Sequence, residues 1–153
     1  MTRPVLFLDL DGVLADFDRG VVAVTGKRPD ELPLAAMWRA LARHPDFFGS
    51  LDFTPDGRAL WAFCAPHRPT ILTGLPQGGW AAPQKTRWVA ERLGPEVPVI
   101  TCMARDKPLH GGPGALLVDD REKARAPWEA AGGRFILHRN AADSVAELRA
   151  LGF

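Results

Sequence analysis

Two aspartates one residue apart, Asp9 and Asp11, stand just after a short apolar run and just before a glycine. Thr73-Gly74 follows a second such run, Arg105-Asp106-Lys107 comes shortly after a third, and Asp119-Asp120 closes a fourth. Carboxylates, a hydroxyl and a cation in this combination suit the hydrolysis of a phosphate ester. Such an ester is anionic and repels nucleophiles, so the site needs a cation; Mg2+ favours carboxylate oxygens and keeps some of its waters. A carboxylate can attack phosphorus and form an aspartyl-phosphate, which divides one hard step into two easier ones. A second carboxylic acid must then protonate the departing alkoxide and activate the water that clears the intermediate. Asp9 and Asp11 can supply both tasks if the chain turns after Asp9, and Gly12 lets the backbone turn tightly. Thr73 can hydrogen-bond a phosphoryl oxygen, and Lys107 can balance the charge that builds on it.

The elements that must position these groups are read from the apolar runs. Pro4 to Leu8 is continuous and without alternation, as a strand buried on both faces requires. Pro69 to Leu72, Val97 to Ile100, Ala115 to Val118 and Arg134 to His138 read the same way. Helical stretches separate them: Pro83 to Leu93 with Gly94 as its stop, Arg121 to Ala131 closed by Gly132-Gly133, and Ala141 to Leu151 with Val145, Leu148 and Leu151 on one face. Strand alternating with helix predicts a doubly wound, Rossmann-like α/β fold on a parallel five-stranded sheet. Ligands bind outside the carboxyl ends of such strands, which is where the acids, the threonine and the lysine fall.

One segment breaks the rhythm. Between Asp16 and Pro66 no buried strand is evident; the pattern reads as helix (17–25), loop (26–33), helix (34–43), aromatic loop and helix (55–64). That is too long for a simple βα connection. The expected organisation is therefore a core of residues 1–15 and 67–153 with a small helical cap, residues 16–66, inserted after the first strand.

The bulk properties are those of one globular domain: 153 residues, 46% hydrophobic, 24% charged, with a formal net charge of +1. No general basic field invites a nucleic-acid polymer. Cys64 and Cys102 lack metal-ligand spacing and read as buried thiols of a reducing compartment. The N-terminal apolar run is cut by Asp9 after one strand's length, too short for a signal peptide or a membrane span, so a cytoplasmic protein is expected.

The D-L-D-G-V-L run at Asp9 to Leu14, Thr73 after an apolar strand, a lysine, and the Asp119-Asp120 pair, in that chain order, resemble the haloacid dehalogenase superfamily of phosphatases. D-L-D-G-V-L-A-D-F (Asp9 to Phe17), D-F-F (Asp46 to Phe48), K-T-R-W-V (Lys85 to Val89), R-D-K (Arg105 to Lys107) and L-L-V-D-D-R (Leu116 to Arg121) are similar to its 5'(3')-deoxyribonucleotidase group. The resemblance implies that Asp9 is nucleophile and magnesium ligand. It makes Asp11 the general acid/base, binding the metal through its backbone carbonyl. Asp120 becomes a direct ligand and Asp119 acts through water. Thr73 and Lys107 would hold the phosphate and Phe17 would face the substrate, a small phosphorylated metabolite such as a (deoxy)nucleoside monophosphate. Two departures stand out: Gly74 occupies the place of a serine, and the segment from Gly26 to Pro33 lacks the group's aromatic loop.

Other readings compete for the same residues. Asp-x-Asp-Gly can open a calcium loop, but no glutamate comes after it at the required spacing. Asp119-Asp120 could merely cap the next helix. Lys85, inside a predicted helix, reads as evenly as a solvated lysine as a site residue, so Lys107, expected in a strand-end loop, is preferred. Trp38, Phe47, Phe48 and Trp61 could line a substrate pocket, but aromatics in a small cap more often serve packing. The four histidines share no ligand spacing, and Gly111 to Gly114 reads as a loop. A phospho-accepting receiver domain gathers similar residues, but its acidic pair follows the first strand, whereas here the pair follows the fourth. A phosphatase for a non-nucleotide ester and a retired enzyme that only binds ligand complete the alternatives.

Overall fold

The apolar runs become five strands, β1 (Val5–Leu8), β2 (Thr70–Gly74), β3 (Val99–Cys102), β4 (Ala115–Asp119) and β5 (Arg134–Leu137). They pair in the order β3-β2-β1-β4-β5 and every pair is parallel. This computed structural model describes residues 4–153, so the first three residues of the expected core lie outside the described residues. The absence of alternation has the anticipated cause. Leu6, Leu8, Leu116 and Val118 enter one apolar cluster, while Phe7, Ala115 and Leu117 enter a second on the opposite face. Both faces of the central strands are covered, and a Rossmann-like α/β fold results.

Among the described residues there are six α-helices, five between strands and the last after β5: α1 (Phe17–Thr25), α2 (Leu34–Arg43), α3 (Gly57–Cys64), α4 (Ala81–Arg92), α5 (Arg125–Ala130) and α6 (Ala141–Ala150). Three expectations are corrected. The run at 97–100 is not a fully buried strand: β3 lies at the sheet edge and is half-buried throughout. The helix expected over 121–131 opens as a 3-10 turn, Glu122–Ala124, before α5, in whose first turn Pro127 costs no helical hydrogen bond. The residues around Lys107 are not a loop but a 3-10 helix, Ala104–His110.

Between β1 and β2 run α1, a 3-10 turn at Pro29–Glu31, α2, the aromatic loop and α3. The N-cap Asp16 accepts the Arg19 N–H at 3.1 Å and starts α1, and Gly26, at φ 75°, ends it. α1 packs on α2, and α3 packs on α6. The Asp56 carboxylate accepts the Ala141 N–H at 2.6 Å, which ties the starts of α3 and α6. The aromatic loop is pinned from α4: the Trp88 indole donates to the Leu51 carbonyl at 2.8 Å, and Gln84 accepts the Phe48 N–H at 2.9 Å. Val21, Met37, Leu41, Phe47 and Phe48 thereby join the apolar cluster that contains Leu8 and Trp88. Among the described residues, no helix is long and apolar enough to cross a membrane.

Candidate active site

Strand register brings the acids together. Leu8 is paired with Val118, so Asp9 and Asp119 leave adjacent strand ends at one level, and the Asp9 N–H donates to the Val118 carbonyl at 2.9 Å. The chain then coils on itself. The Leu10 carbonyl accepts the N–H groups of Val13 (3.3 Å), Leu14 (2.9 Å) and Ala15 (2.9 Å). Gly12 sits at φ 78°, and a Cβ there would collide with the Asp120 carboxylate. Glycine is required twice over, by the left-handed backbone and by the close approach of an acid.

Lys107 is buried between two of these acids, 3.2 Å from Asp9 Oδ1 and 3.0 Å from Asp119 Oδ2. Asp119 Oδ1 in turn accepts the Arg121 N–H at 3.0 Å, so each of its oxygens accepts one hydrogen bond and keeps a lone pair. Burial pulls the Lys107 ammonium down, but Asp9 and Asp119 outweigh it and hold the group above its ordinary value. Burial pushes the Asp9 carboxyl well above the usual range; Lys107 opposes the rise, and Asp119, Asp11 and Asp120 add to it. Asp120, at the exposed rim, is pushed up to about 6 by the partial burial of its carboxylate and by Asp119. These are signs of acids short of counter-charge.

A second lysine meets the remaining acid. Lys85 is 1% exposed and donates to Asp11 Oδ2 at 2.7 Å, Thr73 Oγ1 at 2.8 Å and the Gly74 carbonyl at 2.7 Å. This corrects the even reading of Lys85 as a solvated helix residue: it lies in the buried stripe Ala81, Lys85, Trp88, Val89 of α4. That spacing, read as a helical face, was the signal available in the sequence.

The donor set fits a hard divalent cation. Asp9, Asp119 and Asp120 each present a carboxylate oxygen, and these atoms all lie within 4.8 Å of one another. Counting Asp11, four carboxylates face the two ammonium groups of Lys85 and Lys107, an excess of two negative charges. One divalent ion would balance it. Asp11 Oδ1 is buried with no hydrogen-bond partner among the described residues. The close cluster includes Asp119, which the resemblance placed behind a water, and does not include the Asp11 side chain.

Beside this charged floor stands an aromatic wall. Phe17 stacks with Phe48 (6.2 Å between centroids) and lies 5.8 Å from Trp38. Trp80 stacks on Phe48 at 5.4 Å and meets Trp38 at 6.5 Å. Phe47 and Phe48 are buried, whereas Phe17, Trp38 and Trp80 are half-buried. Floor and wall touch where the Lys85 ammonium lies 4.4 Å from the Phe48 ring centre. Trp80 had no sequence signal, since a tryptophan after Gly78-Gly79 carries no motif. Trp61 makes no ring contact with this group. Of the histidines, His138 is buried against Ser144 at 2.7 Å, a packing role. Cys64 is buried, while Cys102 is half-buried near Lys107 and Asp9, a more polar setting than expected.

No protein-family model matches the sequence, and no curated protein matches it. Solved structures do. A HAD-superfamily hydrolase from Ehrlichia chaffeensis aligns over 99% of this chain and 98% of its own, with a TM-score of 0.57 and 12% identity. A haloacid dehalogenase-like hydrolase from Bacteroides fragilis aligns over 88% and 86%, at 0.59 and 15%. L-2-haloacid dehalogenase from Xanthobacter autotrophicus aligns over 99% and 84%, at 0.56 and 14%. The likeness is one of fold.

Proposed function

We propose that this chain is a magnesium-dependent phosphomonoester hydrolase that works through an aspartyl-phosphate at Asp9. The observation that carries the reading is the floor: three carboxylates within 4.8 Å of one another, Lys107 bridging two of them, and Asp11 two residues beyond the nucleophile. With Asp9 Oδ1 held by Lys107, Oδ2 is the oxygen available for attack. It forms a bond to phosphorus as the ester P–O bond breaks, and the departing alkoxide takes its proton from the Asp11 carboxyl. In the second step water attacks phosphorus, gives its proton to the Asp11 carboxylate, and the bond to Asp9 breaks to release phosphate. Mg2+ held by Asp9, Asp120 and Asp119, with the Asp11 carbonyl as a further donor, would neutralise phosphoryl charge. Lys107 uses two of its three N–H donors on the acids and keeps one for the phosphate. The Thr73 hydroxyl, which accepts from Lys85, retains its own proton to donate.

Residues 16–66 are the proposed cap, and the half-buried rings of Phe17, Trp38 and Trp80 favour a substrate with a flat apolar part, as in a nucleoside monophosphate. The shared fold alone does not choose phosphate over halide, because a dehalogenase has it too. Expulsion of halide from carbon, however, needs neither a proton donor nor a divalent cation, and it would leave Asp11 and the acid cluster without work. A receiver domain would instead form a lasting acyl-phosphate without turnover. The test is phosphate release from a panel of nucleotides, sugar phosphates and cofactor phosphates with Mg2+ or with EDTA. Release that requires Mg2+ is expected. A folded protein inert across the panel, or one that stops after a single phosphorylation, overturns the reading.

A further inference from the structure

Lys85 is saturated. An ammonium group has three N–H donors, and all three are spent at 2.7–2.8 Å on Asp11, Thr73 and the Gly74 carbonyl, with the Phe48 ring against the group. We infer that Lys85 is a positioning residue that orients the Asp11 carboxylate, and not a ligand of the substrate phosphate. A phosphate oxygen could bind it only by displacing one of three short contacts in a place that is 1% exposed. Lys107 has the opposite constitution, with two acceptors and one donor left over.

The place of Lys85 in the fold argues for the same task. Its neighbours on the buried stripe of α4 are Ala81, Trp88 and Val89, where a methionine would pack without any cost of desolvating a charge. What the ammonium adds is directional contact with an acid that burial does not hold in place: the Asp11 side chain is 25% exposed, against 8% for Asp9 and 1% for Asp119, and only Asp120 at the rim is more open. Fixing Oδ2 through Lys85 leaves Oδ1, which has no partner among the described residues, as the oxygen free to carry a proton. The bridge also joins Asp11 to Thr73 and to the end of β2, so the general acid/base of the proposed reaction is registered against the sheet rather than against its own loop.

The kinetic part of this inference rests on the phosphomonoesterase reading, so its test has one arm with turnover and one without. In Lys85→Met, p-nitrophenyl phosphate should still phosphorylate Asp9, because p-nitrophenolate leaves without a proton, while water attack on the intermediate falters. The expected result is a burst of about one p-nitrophenolate per chain followed by turnover roughly a hundredfold below wild type, the scale of lost acid–base help. Inhibition by inorganic phosphate should stay unchanged. Phosphate inhibition weakened about tenfold would make Lys85 a phosphate ligand and overturn the inference; burst and turnover lost together would reduce it to support of the fold, which also overturns it. Crystal structures of the two proteins supply the second arm. The Asp11 carboxylate should leave its position in Lys85→Met, and an unmoved carboxylate sinks the proposal. If wild type shows no turnover, the phosphomonoesterase reading fails, and the crystal comparison still decides whether Lys85 orients Asp11.

Discussion

The charged floor at the strand ends and the aromatic wall beside it are in contact, with Lys85 belonging to both, yet they are assembled by different rules. The floor is placed by the sheet: once Leu8 pairs with Val118, Asp9 and Asp119 have no freedom about where they emerge. The wall is placed by packing. Its rings come from α1 (Phe17), α2 (Trp38), the loop before α3 (Phe47 and Phe48) and the turn before α4 (Trp80), and no backbone ladder relates them. A floor made in this way suits chemistry that every substrate must undergo. A wall made by helices and loops can change shape while the reaction stays the same.

Four substitutions and one change of condition separate the two regions, in descending order of effect. Asp9→Asn should abolish turnover by roughly four orders of magnitude or more, the scale seen for lost nucleophiles, without unfolding the chain; phosphate release with circular dichroism checks this. Lys107→Met leaves Asp9 and Asp119 buried without their bridge and should cost about 3–5 kcal/mol of stability, read as a lower midpoint in urea. If that midpoint does not move, the two acids and their lysine are not one electrostatic unit.

Trp38→Ala and Trp80→Ala test the wall. Loss of a ring that stacks on a base should lower kcat/KM for nucleotides by about 5- to 150-fold, the equivalent of about 1–3 kcal/mol, and leave small sugar phosphates unaffected. Equal losses on both substrate types would erase the functional distinction between wall and floor. The smallest effect is on pH. The Asp120 carboxyl is raised from 3.8 to about 6, so between those values the folded, metal-free protein holds a proton that the unfolded chain has released. Stability in EDTA should therefore fall as pH rises from about 4 to about 6, and Mg2+ should restore it by occupying the same carboxylates. Thermal midpoints at pH 5 and 7, with and without Mg2+, measure this.

Most of the floor was legible in the sequence. Asp9, Asp11, Thr73, Lys107 and the Asp119-Asp120 pair each come after an apolar run, and parallel strands deliver the residues at their carboxyl ends to a common edge. The structure brings all of them together. Lys85 was the part left open, because a lone lysine in a helix has no local mark that distinguishes solvent from burial. Only its spacing with Ala81 and Trp88 hinted at the inner face.

The chain's own order of residues settled the five strands, their parallel sense, the acids at their ends and the glycine that lets the chain turn after the first of them. These depend on local runs, on periodicity and on backbone conformation, all of which are written in neighbouring residues. Which lysine would be spent on an acid, which acids would stand within reach of one ion, and which rings would form a wall depended on side chains far apart in sequence. Lys85 and Asp11 are 74 residues apart, Lys107 and Asp9 are 98 apart. Such distances are decided by how helices settle on the sheet, a property of packing volumes summed over the whole core and not of any one segment.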